Sequence, residues 1–175
     1  MTKRILAFAA SNSSTSINRR LVDYAADLLE DAEVETLDIH DYEMPLYRAD
    51  RELADGIPQL AHDFLARIAA ADGLLVAFAE HNGMYSAAFK NLFDWCSRIG
   101  RDVWQGKPMV LLATSPGPGG AARVLAIAET AAPHFGGDVR ASLSIPQFFD
   151  AFDPDAACLR DPALVAELRA TLSAL

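Results

Sequence analysis

A run of hydroxyl and amide side chains near the N-terminus is the first feature with a potential chemical role. Residues 10–18 read Ala-Ser-Asn-Ser-Ser-Thr-Ser-Ile-Asn, and seven of the nine carry a hydroxyl or a carboxamide. The run follows an apolar segment and leads into residues with helical spacing. Free N–H groups and the helix dipole make a helix N-terminus suited to an anion, and hydroxyls add further donors. The pattern therefore favours a phosphate site.

The simplest alternative for residues 10–18 is ordinary helix capping, because Ser and Asn commonly cap helices. A single cap, however, does not need so many polar residues in succession. The segment lacks the Gly-Lys-Ser/Thr ending of a P-loop, and no Gly-x-Gly-x-x-Gly follows the first apolar run. A nucleoside triphosphate and a tightly held dinucleotide are therefore disfavoured, and a single terminal phosphate fits better.

Two further segments are suited to approach a flat ligand with backbone groups. Residues 79–86 read Ala-Glu-His-Asn-Gly-Met-Tyr-Ser, and their Asn-Gly pair favours a tight turn with positive φ. Such a turn lets peptide groups come close to a ligand. Residues 114–120, Thr-Ser-Pro-Gly-Pro-Gly-Gly, are mostly backbone and can line a ring in the same way.

Short apolar runs that alternate with longer amphipathic segments must position these three loops. We predict strands over 5–10, 34–37, 73–79, 109–113 and 139–145, and helices over 17–31, 58–71, 86–99, 121–132 and 162–172. Strands that alternate with helices form βαβ units with right-handed crossovers. The prediction is an α/β fold: a doubly wound five-stranded parallel sheet with helices on both faces, in a single domain over residues 1–175.

The predicted sheet brings the three loops together. Ligands of open parallel sheets bind beyond the carboxyl ends of the strands, where the strand order reverses. The loops follow predicted strands one, three and four, so we expect them to share that edge. Residues 38–57 are predicted to be irregular, and a stretch of about twenty residues suggests a functional flap.

Composition narrows the choice of partners and setting. The 175 residues are 51% hydrophobic and 22% charged, as in ordinary globular proteins. A net charge of −9 repels a phosphate backbone, so no nucleic-acid partner is expected. The two cysteines lack CxxC spacing, and the histidines do not form a metal-binding pattern. No signal peptide or long apolar span is apparent, which predicts a cytoplasmic protein without a membrane partner.

The three loops together resemble those of the NADPH-dependent FMN reductases of the flavodoxin-like superfamily. In that family the first loop reads approximately Gly-Ser-x-Arg-x-x-Ser-x-Asn, matched here by residues 10–18. The second reads Pro-Glu-Tyr-Asn-Gly-x-Tyr followed by Ala-x-Lys-Asn-x-x-Asp-Trp. The matching residues are Glu80, Asn82, Gly83, Tyr85, Ala88, Lys90, Asn91, Asp94 and Trp95. The third, Ser-Pro-Gly-x-x-Gly-Gly, is close to residues 115–120, and the resemblance runs from residue 4 to about residue 150.

The resemblance implies an NAD(P)H oxidoreductase that binds FMN and passes a hydride from NADPH or NADH to a small acceptor such as a flavin, a quinone, an azo dye or a metal oxyanion. It places Ser11, Ser16, Ile17 and Asn18 at the FMN phosphate, and residues 80–83 and 115–117 beside the isoalloxazine ring. The cofactor-binding set is Ser11, Ser13, Ser16, Ile17, Asn18, Glu80, His81, Asn82, Gly83, Ser115, Pro116 and Gly117. Because the cofactor carries the hydride chemistry, no catalytic side chain and no metal ligand is predicted. A homodimer or homotetramer is implied, with the helix of Lys90 and Trp95 near the subunit interface.

Four positions depart from the family pattern. Ser13 stands where the family has arginine, which removes a cation near the cofactor, and His81 stands where it has tyrosine. Ala10 and Ala79 replace the leading glycine and proline of their loops. Since imidazole titrates near pH 6.5, His81 suggests that FMN affinity differs between pH 5.5 and pH 8.

Several assignments stay open at this level. A flavodoxin-like electron carrier and a non-catalytic FMN-binding protein are the rival functions. Phe148, Phe149 and Phe152 form either an apolar wall of the acceptor pocket or a satellite core cluster. Asp38 either touches a ribose or ends a strand in a turn, and Lys90 with Asp94 is explained by a local i,i+4 ion pair.

Overall fold

The computed structural model describes residues 2–175. Its strands are β1 (Lys3–Ala10), β2 (Ala32–Asp38), β3 (Gly73–Phe78), β4 (Glu80–His81), β5 (Met84–Tyr85), β6 (Pro108–Thr114), β7 (Asp138–Ile145), β8 (Phe152–Asp153) and β9 (Cys158–Leu159). Its helices are α1 (Ile17–Asp27), α2 (Ala49–Asp55), α3 (Gln59–Ala70), α4 (Ala87–Ile99), α5 (Ala122–Ala131), α6 (Phe148–Ala151) and α7 (Pro162–Leu172). Two 3-10 turns cover Ile39–Tyr42 and Ala132–Phe135.

Five parallel strands form the central sheet in the order β2-β1-β3-β6-β7. The chain steps outward from β1 to β2 and then returns to β3 on the other side of β1, so the order reverses between β1 and β3. This is the flavodoxin-like order, and its ligand crevice lies at that reversal. The predicted doubly wound five-stranded parallel sheet is confirmed.

Two apolar layers cover the sheet, because successive side chains of each strand point to opposite faces. Leu6 and Phe8 of β1 pack in the layer under α3, α4 and α5. Ile5 and Ala7 pack in the layer under α1 and α7. All six residues of β3 are buried, which explains why this central strand reads as one unbroken apolar run.

The structure differs from the sequence prediction mainly in residues 38–57, which are not irregular. A 3-10 turn and helix α2 lie within them. Helix α1 is shorter than predicted and ends at Asp27. The two-stranded pairs β4–β5 and β8–β9 and the short helix α6 were not predicted, because elements of two to four residues leave no periodic pattern.

Helix α4 holds residues 38–57, which we call the flap, against the body of the protein. The Asn91 side chain donates to the Met44 carbonyl at 2.9 Å and accepts from the Tyr47 N–H at 2.8 Å. The indole N–H of Trp95, itself fully buried, donates to the Pro45 carbonyl at 2.8 Å. These contacts give two residues of the second sequence motif a positioning role.

Burial makes the two cysteines chemically different. Cys96 on α4 is fully buried, and desolvation raises the pKa of its thiol to about 12. Cys158 is half-buried in β9.

We therefore expect Ellman's reagent at pH 8 to modify about one thiol per chain in the native protein and two in denaturant. A Cys158→Ser variant should show no fast native reaction, and rapid labelling of Cys96 in that variant would contradict the buried position.

No helix within residues 2–175 is long and apolar enough to span a bilayer.

Candidate FMN site

Loops after β1, β3 and β6 meet at the carboxyl edge of the sheet, as predicted. Ser86, the N-cap of α4, donates its hydroxyl to the Ala10 carbonyl at the end of β1, at 2.8 Å. Asn18 in the first turn of α1 pairs with Thr114, the last residue of β6. Side chains at the starts of two helices thus fix the ends of β1 and β6, the strands on either side of β3.

The first loop, residues 11–16, presents donors to solvent at the start of α1. The Ser16 side chain accepts from the Arg19 N–H at 3.1 Å, so one serine acts as the ordinary N-cap. The N–H groups of Ile17 and Asn18 lie in the first turn, where no intrahelical acceptor exists. The exposed hydroxyls of Ser13 and Thr15 lie 3.3 Å apart. Capping therefore uses Ser16 and leaves several donors for an anion.

The buried side chain of Ser11 stabilises the first loop. Its side chain accepts from the Ser13 N–H at 3.2 Å, and only 8% of its surface is exposed. The Ser16 N–H donates to the Ser13 carbonyl at 3.1 Å. These bonds fold the loop into tight turns directly before the N-terminus of α1.

The Asn18 side chain holds two loops together. Its amide nitrogen donates to the Thr114 carbonyl at 3.1 Å, and its amide oxygen accepts from the Thr114 N–H at 3.0 Å. Asn18 is 3% exposed and Thr114 is 1% exposed. Both ends of the amide are therefore occupied, and the group left for a ligand is the backbone N–H of Asn18. Sequence reasoning did not single out Thr114, because its partner lies 96 residues away.

The second loop is a two-residue hairpin. Strands β4 and β5 pair Glu80 with Tyr85 and His81 with Met84, and the turn residues Asn82 and Gly83 have φ of 54° and 78°. Positive φ at both central residues matches a type I′ turn, so the predicted Asn-Gly turn is confirmed. The His81 ring is exposed on the hairpin, and its effect on FMN affinity stays a prediction.

Glu80 ties this hairpin to α5. Its carboxylate accepts from the Val124 N–H at 3.1 Å. Val124 is in the first turn of α5, whose N-cap Ala121 has no side-chain acceptor to offer. A carboxylate at this position satisfies an orphan N–H and interacts favourably with the helix dipole. On the inner side of the hairpin, burial raises the pKa of Tyr85 to about 12.

We expect Glu80→Ala to lower the free energy of unfolding by about 1 to 2 kcal/mol, the usual cost of losing a helix cap. Glu80→Gln keeps an acceptor oxygen and should lose less. Urea denaturation compares the two variants with the native chain. Equal stability of the alanine variant and the native chain would show that Glu80 does not cap α5.

The third loop, residues 115–120, is joined to the segment that precedes α6. The Gln147 N–H donates to the Gly117 carbonyl at 3.0 Å, and the Phe148 N–H donates to the Ser115 carbonyl at 3.0 Å. Pro116 is exposed between them. The backbone of residues 115–117 is therefore held in place by the chain that enters α6.

The phenylalanines of the last segment have separate roles. Phe148 and Phe152 are buried, with ring centroids 4.8 Å apart in a stacked arrangement. They belong to the core under α1 and α7. Phe149 is 62% exposed. The core alternative thus holds for two of the three, and only Phe149 is open to a ligand.

Two further open assignments concern Asp38 and Lys90. Asp38 is the N-cap of the 3-10 turn, accepting from the His40 N–H at 2.9 Å, and it forms an ion pair with Arg19. Lys90 and Asp94 form the expected i,i+4 ion pair at 2.6 Å. Within residues 2–175 no group of three or more His, Cys, Asp or Glu side chains could hold a metal ion.

The donor set of the site suits a phosphate attached to a flat ring system. The α1 N-terminus offers N–H groups and hydroxyls without a cation, because Arg19 is paired with Asp23 and Asp38. The Asn82-Gly83 turn and residues 115–117 offer backbone groups and small side chains. The chemistry of these residues therefore fits FMN.

Fold and site define a flavodoxin-like flavin-binding protein. The chain belongs to the NADPH-dependent FMN reductase family, whose model matches residues 3–150. This finding confirms the predicted family and, with it, FMN as the cofactor and NAD(P)H-dependent oxidoreductase as the class.

Three comparisons illustrate the relationship. The chain is 36% identical over 124 residues to a 2-hydroxy-1,4-benzoquinone reductase of Burkholderia sp, an alignment covering 70% of this chain and 66% of that enzyme. It is 29% identical to a probable NADPH:quinone oxidoreductase 2 of Oryza sativa, over 98% of this chain and 86% of the relative. The solved structure of the flavoenzyme NAD(P)H:(acceptor) oxidoreductase FerB from Paracoccus denitrificans superposes with a TM-score of 0.79 at 29% identity, covering 99% of this chain and 94% of that one.

Proposed function

We propose that this protein oxidises NAD(P)H through bound FMN and reduces a small acceptor, of which a quinone or a free flavin fits best. One observation carries the proposal: the first loop, the hairpin and the third loop converge at the strand-order reversal, where a flavodoxin-like sheet holds its ligand. Two of the similar proteins bear names that include quinone reduction, which supports a quinone as the acceptor.

The residues divide between the two ends of FMN. Backbone N–H groups of Ile17 and Asn18 and the hydroxyls of Ser11, Ser13 and Ser16 hold the phosphate. Glu80, His81, Asn82 and Gly83 border one edge of the ring, and Ser115, Pro116 and Gly117 border another. When bound there, FMN would supply the hydride and electron-transfer chemistry between NAD(P)H and the acceptor. The protein binds and orients both partners.

A cavity beside the first loop supports a role of the flap in choosing the acceptor. Its volume is about 420 Å³, and it lies between the flap, Asn12 and the start of α4. Tyr42 and Leu46 of the flap line it together with Ala87 and Ala88 of α4. The Asn12 side chain donates to the Glu43 carboxylate at 3.1 Å and so links the first loop to the flap. Truncation of these flap side chains is expected to change acceptor preference.

The predicted assembly and setting belong to the same proposal. A homodimer or homotetramer is supported by exposed large apolar side chains on the flap and the hairpin, Leu46, Leu53 and Met84. A single domain over residues 1–175 is supported by the two apolar layers, which share one sheet. A cytoplasmic location and a small-molecule acceptor complete the proposal, with no nucleic-acid or membrane partner.

An absorbance titration tests the proposal. FMN added to the purified protein should give a bound-flavin spectrum near 450 nm, and anaerobic NADPH should bleach it. Reoxidation by a benzoquinone then measures acceptor reduction. Binding without bleaching by NADPH or NADH would favour an electron carrier, and absence of FMN binding would favour a protein in which Ser13 and His81 have altered the site.

A further inference from the structure

We infer that Arg123 determines donor specificity by binding the 2′-phosphate of NADPH. This inference rests on the proposed function, since it concerns the donor of the same site. Arg123 is the second residue of α5, directly after the third loop. Its side chain is exposed at the carboxyl edge of the sheet, where the loops of the FMN site meet.

The position of Arg123 is defined by the tip of the hairpin. A Cβ built on Gly83 would lie 3.7 Å from Cδ of Arg123, so the arginine stem passes along the turn that borders the ring. Gly83 itself has φ of 78°, and it has no side chain that could obstruct Arg123. The exposed side chain of Arg123 therefore lies at the margin of the proposed ring site.

Arg123 is unpaired although the chain is acidic. Within residues 2–175 its guanidinium forms neither an ion pair nor a hydrogen bond, whereas Arg19, Arg67 and Arg98 are all paired with carboxylates. The Glu80 carboxylate accepts from the N–H of Val124, the residue next to Arg123, and forms no ion pair with the guanidinium. The charge of Arg123 is thus available to a ligand.

The other cations without a carboxylate partner lie elsewhere or are engaged in other contacts, and the ammonium groups of Lys3 and Lys107 donate to backbone carbonyls. Lys3, Arg4 and Lys107 are at the amino ends of strands, and Arg101 follows the C-terminus of α4, at the opposite edge of the sheet. Arg20 stacks over the Phe152 ring at 5.3 Å, and Arg51 donates to the Leu46 carbonyl. Among the described residues, Arg123 is therefore the cation placed to meet an anion that enters beside the ring.

The chemistry of the ligand follows from the charges. The net charge of −9 opposes any phosphate-bearing donor, so a local cation has a large share in attracting one. NADPH differs from NADH by one phosphate on the adenosine ribose, and an arginine fork matches phosphate oxygens with two parallel N–H bonds. The adenosine end of a donor whose nicotinamide met the flavin would lie outside the ring site, and Arg123 lies at the rim of that site beside Gly83.

Arg123→Gln tests the inference, with Arg101→Gln as the matched control because Arg101 is equally exposed and unpaired. We expect Arg123→Gln to raise the KM for NADPH by about tenfold or more, the size of a lost charge-assisted contact. The KM for NADH and both kcat values should change by less than about twofold. Arg123→Lys should recover part of the NADPH affinity, and Arg101→Gln should change nothing.

Calorimetric titration of the FMN-loaded protein with NADP⁺ and NAD⁺ provides a readout that does not depend on turnover. The native chain should bind NADP⁺ more tightly than NAD⁺, and Arg123→Gln should remove that difference. Equal losses for both nucleotides, or no loss for either, would overturn the role of Arg123 while leaving the proposed function intact. Failure of the native chain to bind FMN or to oxidise either donor would instead contradict the proposed function.

Discussion

Replacing Asn18 by alanine is expected to lower the free energy of unfolding by about 3 kcal/mol and to weaken FMN binding. The change leaves the N–H and the carbonyl of Thr114 without their side-chain partner, in a place that is 1% exposed. Each buried polar group left unsatisfied costs about 1 to 3 kcal/mol. FMN affinity should fall as well, because the same amide holds α1, whose N-terminus is the proposed phosphate site, against the start of the loop proposed to border the ring. Urea denaturation and a flavin titration measure the two effects.

Asn12→Ala is the matched control, since Asn12 lies in the same loop and makes one exposed contact, with Glu43. It should change the free energy of unfolding by less than about 0.5 kcal/mol. Asn18→Asp separates the two halves of the pair, because aspartate still accepts from the Thr114 N–H but presents an oxygen to the Thr114 carbonyl. It should be at least as destabilising as alanine. An Asn18→Ala protein as stable as the Asn12→Ala protein would remove the pairing as a stabilising feature.

Replacing Gly120 by alanine is expected to destabilise the protein by about 3 kcal/mol through strain and crowding. Gly120 has φ of 56°, a region in which side chains are strained. An added Cβ would clash with the Ser144 hydroxyl and would lie 3.0 Å from the Pro146 nitrogen. The Pro146 nitrogen is a backbone atom, and the two residues that follow it are hydrogen-bonded to the third loop. The backbone at Pro146 therefore cannot move aside without disturbing that loop.

Gly119→Ala controls for the loss of a glycine, because nothing lies within 4 Å of its added Cβ and its φ is not positive. Its stability should remain within about 0.5 kcal/mol of the native chain. In a Ser144→Ala background the closest clash at Gly120 is removed, so the further loss caused by Gly120→Ala should be smaller. Thermal or urea unfolding gives each value. Equal losses for Gly119→Ala and Gly120→Ala would contradict the crowding at Gly120.

The sheet and its helices could be predicted because their patterns are local. The unbroken apolar runs at 73–78 and 109–113 indicate buried parallel strands, and both are central in the sheet. The Asn82-Gly83 turn followed from the backbone preferences of two adjacent residues, and the polar run at 11–18 from its position before a helix. The flap was predicted to be irregular, but its helix α2 contains no buried residue and so carries no apolar stripe.

The amino-acid sequence by itself determined the fold class, the three loops of the site and the family, because each depends on residue types at short, fixed spacing. Only the tertiary structure decided what individual side chains do there. It showed that the Asn18 amide is hydrogen-bonded to the backbone of Thr114, that Glu80 caps α5, and that Arg123 lies unpaired beside Gly83. These contacts join residues 96, 44 and 40 positions apart, and no local preference encodes them. The crossovers of the sheet bring such residues together, so their roles follow from topology rather than from sequence spacing.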